Sequence, residues 1–267
     1  MSIGASGAAR PPAVAGLFYP REANALRATV NELLAAAHTR LATPPKVLIA
    51  PHAGYIYSGA VAAAAYVELY RRATGINRVV LLGPAHRVAV HGIAVASVAG
   101  FDTPLGNVAI DADSRTRVLR LPGVTLDDAA HAQEHSLEVH LPFLQAVLSD
   151  FTLLPLVVGE AAPELVAQAL DEVWGGDDTL IVVSSDLSHF HEYREARRID
   201  ADTVATIEDQ QPTLAPLQAC GCRPLNGLLT VTRRRGMRIV TLDACNSGDT
   251  AGGHDRVVGY AAFAATD

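Results

Sequence analysis

Four short runs of branched apolar residues, each followed by polar side chains, constrain the fold of this chain more than any other feature. The runs are Lys46–Ala50, Arg78–Leu82, Thr179–Val183 and Arg238–Leu242. Runs of this length that are rich in Val, Ile and Leu are typical of strands buried on both faces. Segments with helical spacing of apolar residues lie between them. This alternation predicts a mostly parallel sheet covered by helices on both faces.

Further elements follow from periodicity and from Pro and Gly positions. Predicted strands of this second group are Gly92–Ala96, Gly106–Ile110, Phe151–Val158 and Val257–Phe263. Predicted helices are Glu22–His38, one beginning after Ser58 as N-cap, Ser114–Leu121, Glu134–Leu148 broken at Pro142, Pro163–Trp174, Arg194–Glu208 and Leu225–Arg235. The last two strands have no helix between them, so part of the pairing is expected to be antiparallel, in a mixed α/β sheet. We expect residues 1–10 to be a disordered tail and residues 11–267 to form a single domain.

Composition narrows the class of protein. The chain has 267 residues, 49% of them hydrophobic, which suffices for a large core. A net charge of -7 without a block of Lys or Arg favours neither a nucleic-acid nor a membrane surface. Met1–Ala9 lacks the apolar core of a signal peptide, and no apolar run is long enough to span a bilayer. We therefore expect a cytoplasmic protein.

The three cysteines are Cys220, Cys222 and Cys245. Three are too few for a disulfide framework in a chain of this length. The Cys220-Gly-Cys222 spacing is too tight for a usual zinc knuckle, and no second pair accompanies it. The sequence therefore favours a structural role for these two thiols.

Polar side chains follow all four of the first strands. They are His52, then His86, then Asp186 and His189, and last Asp243, Asn246, Ser247 and Asp249. Carboxyl ends of parallel strands meet at one edge of a sheet, so these residues are expected to converge. Two imidazoles with one carboxylate bind non-haem Fe(II) and leave coordination positions open. Taken singly, a His after a strand is more often a hydrogen-bonded loop residue, and Asp249 fits an ordinary turn.

The densest run of titratable side chains extends from His131 to His140. On a helix, Glu134 and Glu138 would share one face. The run lacks the His-Glu-x-x-His pattern of zinc peptidases. It is interpreted as structural, or as an outer shell in which Glu134 and His135 line the pocket and orient substrate or the metal-binding histidines.

Several motifs together carry a resemblance to a known family. They are Ala15-Gly-Leu-Phe-Tyr-Pro20, Pro51-His-Ala-Gly-Tyr55, Leu82-Gly-Pro-Ala-His86, Glu134-His-Ser-Leu-Glu-Val-His-Leu-Pro-Phe143, Ser184-Ser-Asp-Leu-Ser-His189 and Asn246-Ser-Gly-Asp249. The chain resembles the MEMO family, whose microbial members are known as AmmeMemoRadiSam system protein B, from about Pro12 to Ala264. That family is similar in fold to the class III extradiol dioxygenases, which implies a three-layer α/β/α architecture.

The resemblance also implies roles for individual residues. His52 and His86 would be metal ligands, Asp249 the third ligand, and His189 the acid/base group. A cysteine fills the third position in animal members, which makes Cys245 the alternative ligand. With Asp249 the site would suit Fe(II), whereas a thiolate would favour copper(I) or zinc.

Three functional hypotheses follow. The first is an Fe(II)-dependent, dioxygenase-like redox enzyme acting on a small substrate, with Tyr55, Glu134, His135 and Asp186 around the site. The second is a binding module that uses the same cleft for a peptide or partner protein. The third is a zinc hydrolase, which lacks a general-base glutamate placed by a motif. The resemblance further implies a shared pathway with radical-SAM and AMMECR1-like proteins.

Overall fold

The computed structural model describes residues 6–266 of the chain. Its strands are β1 (Ser6–Arg10), β2 (Val47–Ala50), β3 (Arg78–Pro84), β4 (Ile93–Val95), β5 (Val98–Thr103), β6 (Gly106–Ala109), β7 (Val124–Leu126), β8 (Thr152–Val158), β9 (Thr179–Ser184), β10 (His189–His191), β11 (Arg238–Asn246) and β12 (Val257–Thr266). Its α-helices are α1 (Ala23–Ala36), α2 (Tyr55–Tyr66), α3 (Ala112–Val118), α4 (Asp128–Ala132), α5 (Leu141–Val147), α6 (Pro163–Val173), α7 (Tyr193–Glu208) and α8 (Cys222–Arg234). None of the helices in this part of the chain is long and apolar enough to cross a membrane.

The main sheet is mixed, as the sequence predicts. Its strand order is β10-β12-β2-β9-β3-β8-β4-β7, and β11 pairs with β12 on the outside. The parallel strands β2, β9, β3 and β8 form the centre. The antiparallel pairings flank this centre: β12 with β2, β10 and β11 on one side, and β4 with β8 on the other. A second sheet of three strands has the order β1-β5-β6.

Alternating side chains of the central strands build two separate cores, one on each face of the sheet. Leu48 and Val182 pack with α1, α2 and α5. The neighbouring Ile49 and Val183 pack with α6 and α8 on the opposite face. Because successive strand residues point to opposite faces, apolar runs of this kind need helices on both sides. The arrangement is therefore a three-layer α/β/α fold, and the expected fold class is confirmed.

The expected disorder of residues 1–10 is wrong for the part that the structure describes. Residues 6–10 form β1, which pairs in parallel with β5. Met1–Ala5 lie outside the described residues. Arg10 ends the strand and is almost fully buried, because its guanidinium forms an ion pair with Glu138. A single long-range contact of this kind leaves no local signature in the sequence.

The helix expected from Glu134 to Leu148, broken at Pro142, begins later than predicted. A 3₁₀ turn at Glu138–His140 leads into α5, and Pro142 occupies the first turn of that helix. Glu134 stops helix formation before this point, because its carboxylate accepts hydrogen bonds from the backbone N–H groups of His135 and Ser136.

Candidate metal centre

The carboxyl edge of the central parallel strands carries the candidate site. β2 and β9 end side by side, with Ala50 opposite Ser184. His52 follows β2 by two residues, and Asp186 follows β9 by two residues. His86 lies two residues beyond the end of β3, the other neighbour of β9. The predicted convergence of strand exits is therefore correct for these side chains.

The structure brings His52, His86 and Cys220 into one cluster. One ligand atom from each residue lies within 4.8 Å of the other two. The Cys220 Sγ is 3.3 Å from the His52 Nε2, and the centroids of the two imidazole rings are 5.1 Å apart. Two imidazoles and one thiol are thus placed to contact a common cation.

Cys220 is the member of this cluster that sequence reasoning did not place there. It lies in the loop that leads into α8, 168 positions from His52 in sequence, so the Cys-Gly-Cys spacing says nothing about its partners. The intervening Gly221 is a local signal. A Cβ at this position would come within 2.6 Å of the Ser184 backbone oxygen, so glycine lets the loop approach the end of β9.

Asp249, the predicted third ligand, lies outside this cluster among the described residues. Its Oδ1 accepts a hydrogen bond from the Tyr193 hydroxyl, and its Oδ2 accepts from the Asn246 backbone N–H. The carboxylate therefore caps the 3₁₀ turn after β11. Its strand ends at the expected edge but is separated from β2 by β12.

Cys245, the alternative third ligand, shares this displaced position. It lines a cavity of about 600 Å³ between α7 and β11, together with Asp249 and Arg197. Burial, with the nearby Asp243 and Asp249 carboxylates, raises the pKa of its thiol to about 12. The cysteine whose Sγ lies close to His52 and His86 is Cys220.

Glu134 contacts His86 through both carboxylate oxygens. Its Oε1 lies 2.9 Å from the His86 Nδ1, and its Oε2 accepts a 2.6 Å bond from the His86 backbone N–H. Burial opposes ionisation of Glu134, but its hydrogen bonds and electrostatic interaction with His86 lower its pKa to about 2. A carboxylate on Nδ1 directs the other ring nitrogen of His86 toward a metal.

The imidazole ring of His135 packs against the cluster. Its ring stacks on His86 at 4.7 Å and contacts Phe18 at 4.9 Å. Its Nδ1 is buried without a hydrogen-bond partner and lies 3.4 Å from the Glu134 carboxylate. Burial lowers the pKa of His135 to about 4, so this imidazole is neutral at pH 7. One ligand atom each from His86, Glu134 and His135 forms a second close group.

Asp186 lies beside both His52 and Cys220. Its Oδ1 accepts a 2.7 Å bond from the His52 backbone N–H, and its own backbone N–H donates to the Cys220 Sγ at 3.3 Å. Burial raises the pKa of the Asp186 carboxyl to about 7. A group with this pKa can hold or release a proton near neutral pH.

His189 and Tyr55, the remaining predicted site residues, have different hydrogen-bond partners and surroundings. His189 donates from Nδ1 to the Leu187 backbone oxygen at 2.9 Å, and its Nε2 has no hydrogen-bond partner among residues 6–266. Burial, and secondarily the charge of His86, lower the pKa of His189. Tyr55 belongs to the core instead, because its hydroxyl donates to the Val139 backbone oxygen and its ring packs on Phe143.

The donor set fits a metal ion. Burial, and then neighbouring histidines, lower the pKa of His52, so this ring is neutral at pH 7 as a ligand must be. Burial and the Asp186 carboxyl raise the pKa of the Cys220 thiol, so a cation is needed to stabilise its thiolate. Fold and site together define an α/β protein with a candidate centre of two imidazoles and one thiol.

Comparisons with known proteins agree with this description. The model of the family described as Memo-like protein matches residues 10–264. A MEMO1 family protein of Aquifex aeolicus is 37% identical over 263 residues, covering 94% of this chain and 97% of the relative. MEMO1 family proteins of Methanothermobacter thermautotrophicus and Methanosarcina mazei are 34% and 35% identical, covering 94% and 95% of this chain and 98% of each relative. The chain belongs to the Memo-like family.

Proposed function

We propose that this protein is a metal-dependent redox enzyme acting on a small substrate, with His52, His86 and Cys220 as the metal ligands. The observation that carries the proposal is the convergence of their donor atoms within 4.8 Å at the carboxyl edge of the sheet. Three protein ligands leave positions open for a substrate. A bound metal would supply those positions and a centre able to change oxidation state.

The third donor of the proposed site is a thiol, whereas the sequence predicted a carboxylate, and this difference changes which metal ions the site prefers. Imidazole suits iron, copper and zinc, whereas a thiolate favours Cu(I) or zinc over harder ions. Of the redox-active ions, Cu(I) therefore becomes the first candidate and Fe(II) the second. Zinc is the comparison without redox chemistry.

A cavity beside Cys220 supports a small substrate. It has a volume of about 370 Å³, within the range of small-molecule sites. Val90 and Val158 contribute apolar wall, while Glu160 and Arg223 contribute charge. A compound with an apolar body and one polar end would match this lining.

Two nearby groups are suited to proton transfer. His189 is neutral and its Nε2 has no hydrogen-bond partner among the described residues, so it is suited to accept a proton, in agreement with the acid/base role that the family implies. Asp186, with a pKa of about 7, is suited to hold a proton next to the Cys220 sulfur. In this proposal, the chain binds the substrate, excludes water and moves protons.

The test is anaerobic loading with Cu(I), Fe(II) or Zn(II), followed by measurement of metal content and of oxygen consumption. We expect one metal ion per chain, and oxygen consumption with copper or iron but not with zinc. His52→Ala and His86→Ala should lose both, whereas His38→Ala is the matched control, because His38 is an exposed histidine outside the proposed site. Full metal content in His52→Ala contradicts the proposed ligands.

A second candidate function is binding of a peptide or partner protein. A cleft of about 530 Å³ runs past Phe18, whose ring contacts His135. Leu17 and Ile56 line this cleft with side chains that are 79% and 70% exposed. Exposed apolar side chains of this size mark interaction surfaces when they adjoin a cleft. Partner binding retained by a His52→Ala, His86→Ala double variant would favour this candidate.

A further inference from the structure

We infer that His140 is a positioning residue of the metal centre, which acts through Ser184 to present the His52 Nε2 to the cation. Tyr66 contacts the His140 ring on the side opposite Ser184 and stabilises its orientation. This inference rests on the proposed metal centre and extends it to two buried residues that contact no ligand directly.

The inference follows from an unbroken chain of buried hydrogen bonds. The His52 Nδ1 lies 2.6 Å from the Ser184 Oγ, which lies 2.9 Å from the His140 Nε2. On its other side, the His140 Nδ1 lies 2.8 Å from the Tyr66 hydroxyl. The Ser184 Oγ also lies 2.6 Å from the Ser136 backbone oxygen. All five residues are at most 2% exposed.

The hydrogen-bond partners of Ser184 determine which nitrogen of each imidazole carries its proton. A serine hydroxyl has one proton to donate and two lone pairs with which to accept. The Ser136 carbonyl oxygen can only accept, so it takes the hydroxyl proton. Both imidazoles must then donate to Ser184. His52 therefore carries its proton on Nδ1, and its Nε2 lone pair faces the Cys220 Sγ at 3.3 Å.

The same hydrogen bonds determine the tautomer of His140. Burial lowers its pKa to about 3, so the ring is neutral and has a single N–H. That N–H is on Nε2, and Nδ1 accepts from the Tyr66 hydroxyl. With both lone pairs filled, the Ser184 hydroxyl cannot rotate to donate to His52. Without His140 it is free to turn, which would place the His52 proton on Nε2, the nitrogen that the metal needs.

His140→Leu and His140→Gln form the test. Leucine removes both polar functions of the ring, whereas the glutamine amide supplies an N–H for Ser184 and an oxygen for Tyr66. Outer-shell partners of a metal-binding histidine typically contribute about 10- to 100-fold to affinity. We expect His140→Leu to lower Co(II) and Zn(II) affinity by about that factor, and His140→Gln to restore it to within about threefold.

Further measurements separate positioning from general damage. The melting temperature of each metal-free variant reports on folding, and the Co(II) absorption spectrum reports on ligand geometry. His38→Leu, at an exposed site, is the matched control. If His140→Leu does not fold alone, the Tyr66→Phe background removes the hydroxyl that it leaves unpaired, and the same loss of affinity is expected there.

The results distinguish failure of the positioning role of His140 from failure of the proposed metal centre. Unchanged affinity and spectrum in folded His140→Leu, while His52→Ala loses the metal, overturn only the role of His140. A His140→Gln variant as weak as His140→Leu overturns it as well. Wild-type affinity in His52→Ala overturns the metal centre, and the positioning role with it.

Discussion

The guanidinium of Arg10 and the carboxylate of Glu138 form an ion pair of 2.7 Å in the protein interior, with both side chains at most 3% exposed. Glu138 also accepts hydrogen bonds from the backbone N–H groups of Ala13 and Val14 and from the Tyr19 hydroxyl. Arg10 additionally donates to two backbone oxygens. The N-terminal segment is thereby joined to the segment that orients the candidate metal ligands.

Removing the cation of this pair should destabilise the protein strongly. Arg10→Met leaves the Glu138 carboxylate buried without a charged partner, which typically costs about 3–5 kcal/mol. Urea unfolding measures this loss. Arg198→Met is the matched control, because Arg198 forms an exposed ion pair with Glu195, and such pairs contribute about 0–1 kcal/mol. A loss below about 1 kcal/mol in Arg10→Met would contradict the assigned role.

Glu134→Gln should weaken metal binding without removing a ligand. The amide keeps the size of the side chain but loses the charge that orients His86 and accepts its Nδ1 proton. We expect an affinity about 10- to 100-fold lower, measured by competition with a chelator. Glu172→Gln, at an exposed glutamate of α6, should leave the affinity unchanged. Equal affinities in the two variants would exclude the orienting role.

Metal binding should release a proton from Cys220. Burial and the Asp186 carboxyl raise the pKa of this thiol, so the metal-free protein holds it protonated at pH 7. Coordination requires the thiolate, and affinity should therefore rise about tenfold per pH unit between pH 7 and 8.5. Calorimetry in buffers of different ionisation enthalpy counts the released protons. Cys220→Ser should show no such release, and a pH-independent affinity in the wild type would contradict this account.

The metal-free protein should lose stability as the pH falls below 6.5. Burial lowers the pKa of His131 to about 4 and that of His140 to about 3, from the 6.5 expected when unfolded. Groups with a depressed pKa in the folded state stabilise it above pH 6.5, and this contribution is lost as the pH falls toward the folded pKa. Each should reduce the free energy of unfolding by up to about 1.4 kcal/mol per pH unit.

Histidine variants test whether these buried imidazoles cause the loss of stability at low pH. His131→Gln should flatten the pH dependence of urea unfolding between pH 6.5 and 4, because one buried imidazole no longer titrates. His38→Gln, at an exposed histidine, should leave the curve unchanged. An identical slope in wild type and His131→Gln would show that other groups govern the acid transition.

The sequence predicts the sheet and half of the site because both follow from local pattern. Apolar runs locate the central strands, and strand exits locate His52 and His86 at one edge. Asp249 satisfies the same rule, yet β12 lies between its strand and β2. Strand order depends on packing of the whole chain, so periodicity alone cannot supply it.

The roles of Cys220 and Arg10 also depend on the whole fold and could not be predicted from local sequence pattern. Neither belongs to a periodic segment, and each acquires its role from a partner more than 100 residues away. The Cys-Gly-Cys spacing and the polar tail both suggest ordinary surface chemistry. Burial and the long-range partner, which only the fold provides, reverse that interpretation.

The central claim is that Cys220 completes the metal site, and anaerobic Co(II) binding to single cysteine variants tests it most directly. The wild type, Cys245→Ser and Asp249→Asn should each bind one cobalt ion and show thiolate-to-cobalt charge-transfer absorption. Cys220→Ser should lose this absorption and bind far more weakly. Wild-type absorption and affinity in Cys220→Ser, with loss of both in Cys245→Ser or Asp249→Asn, would contradict the account.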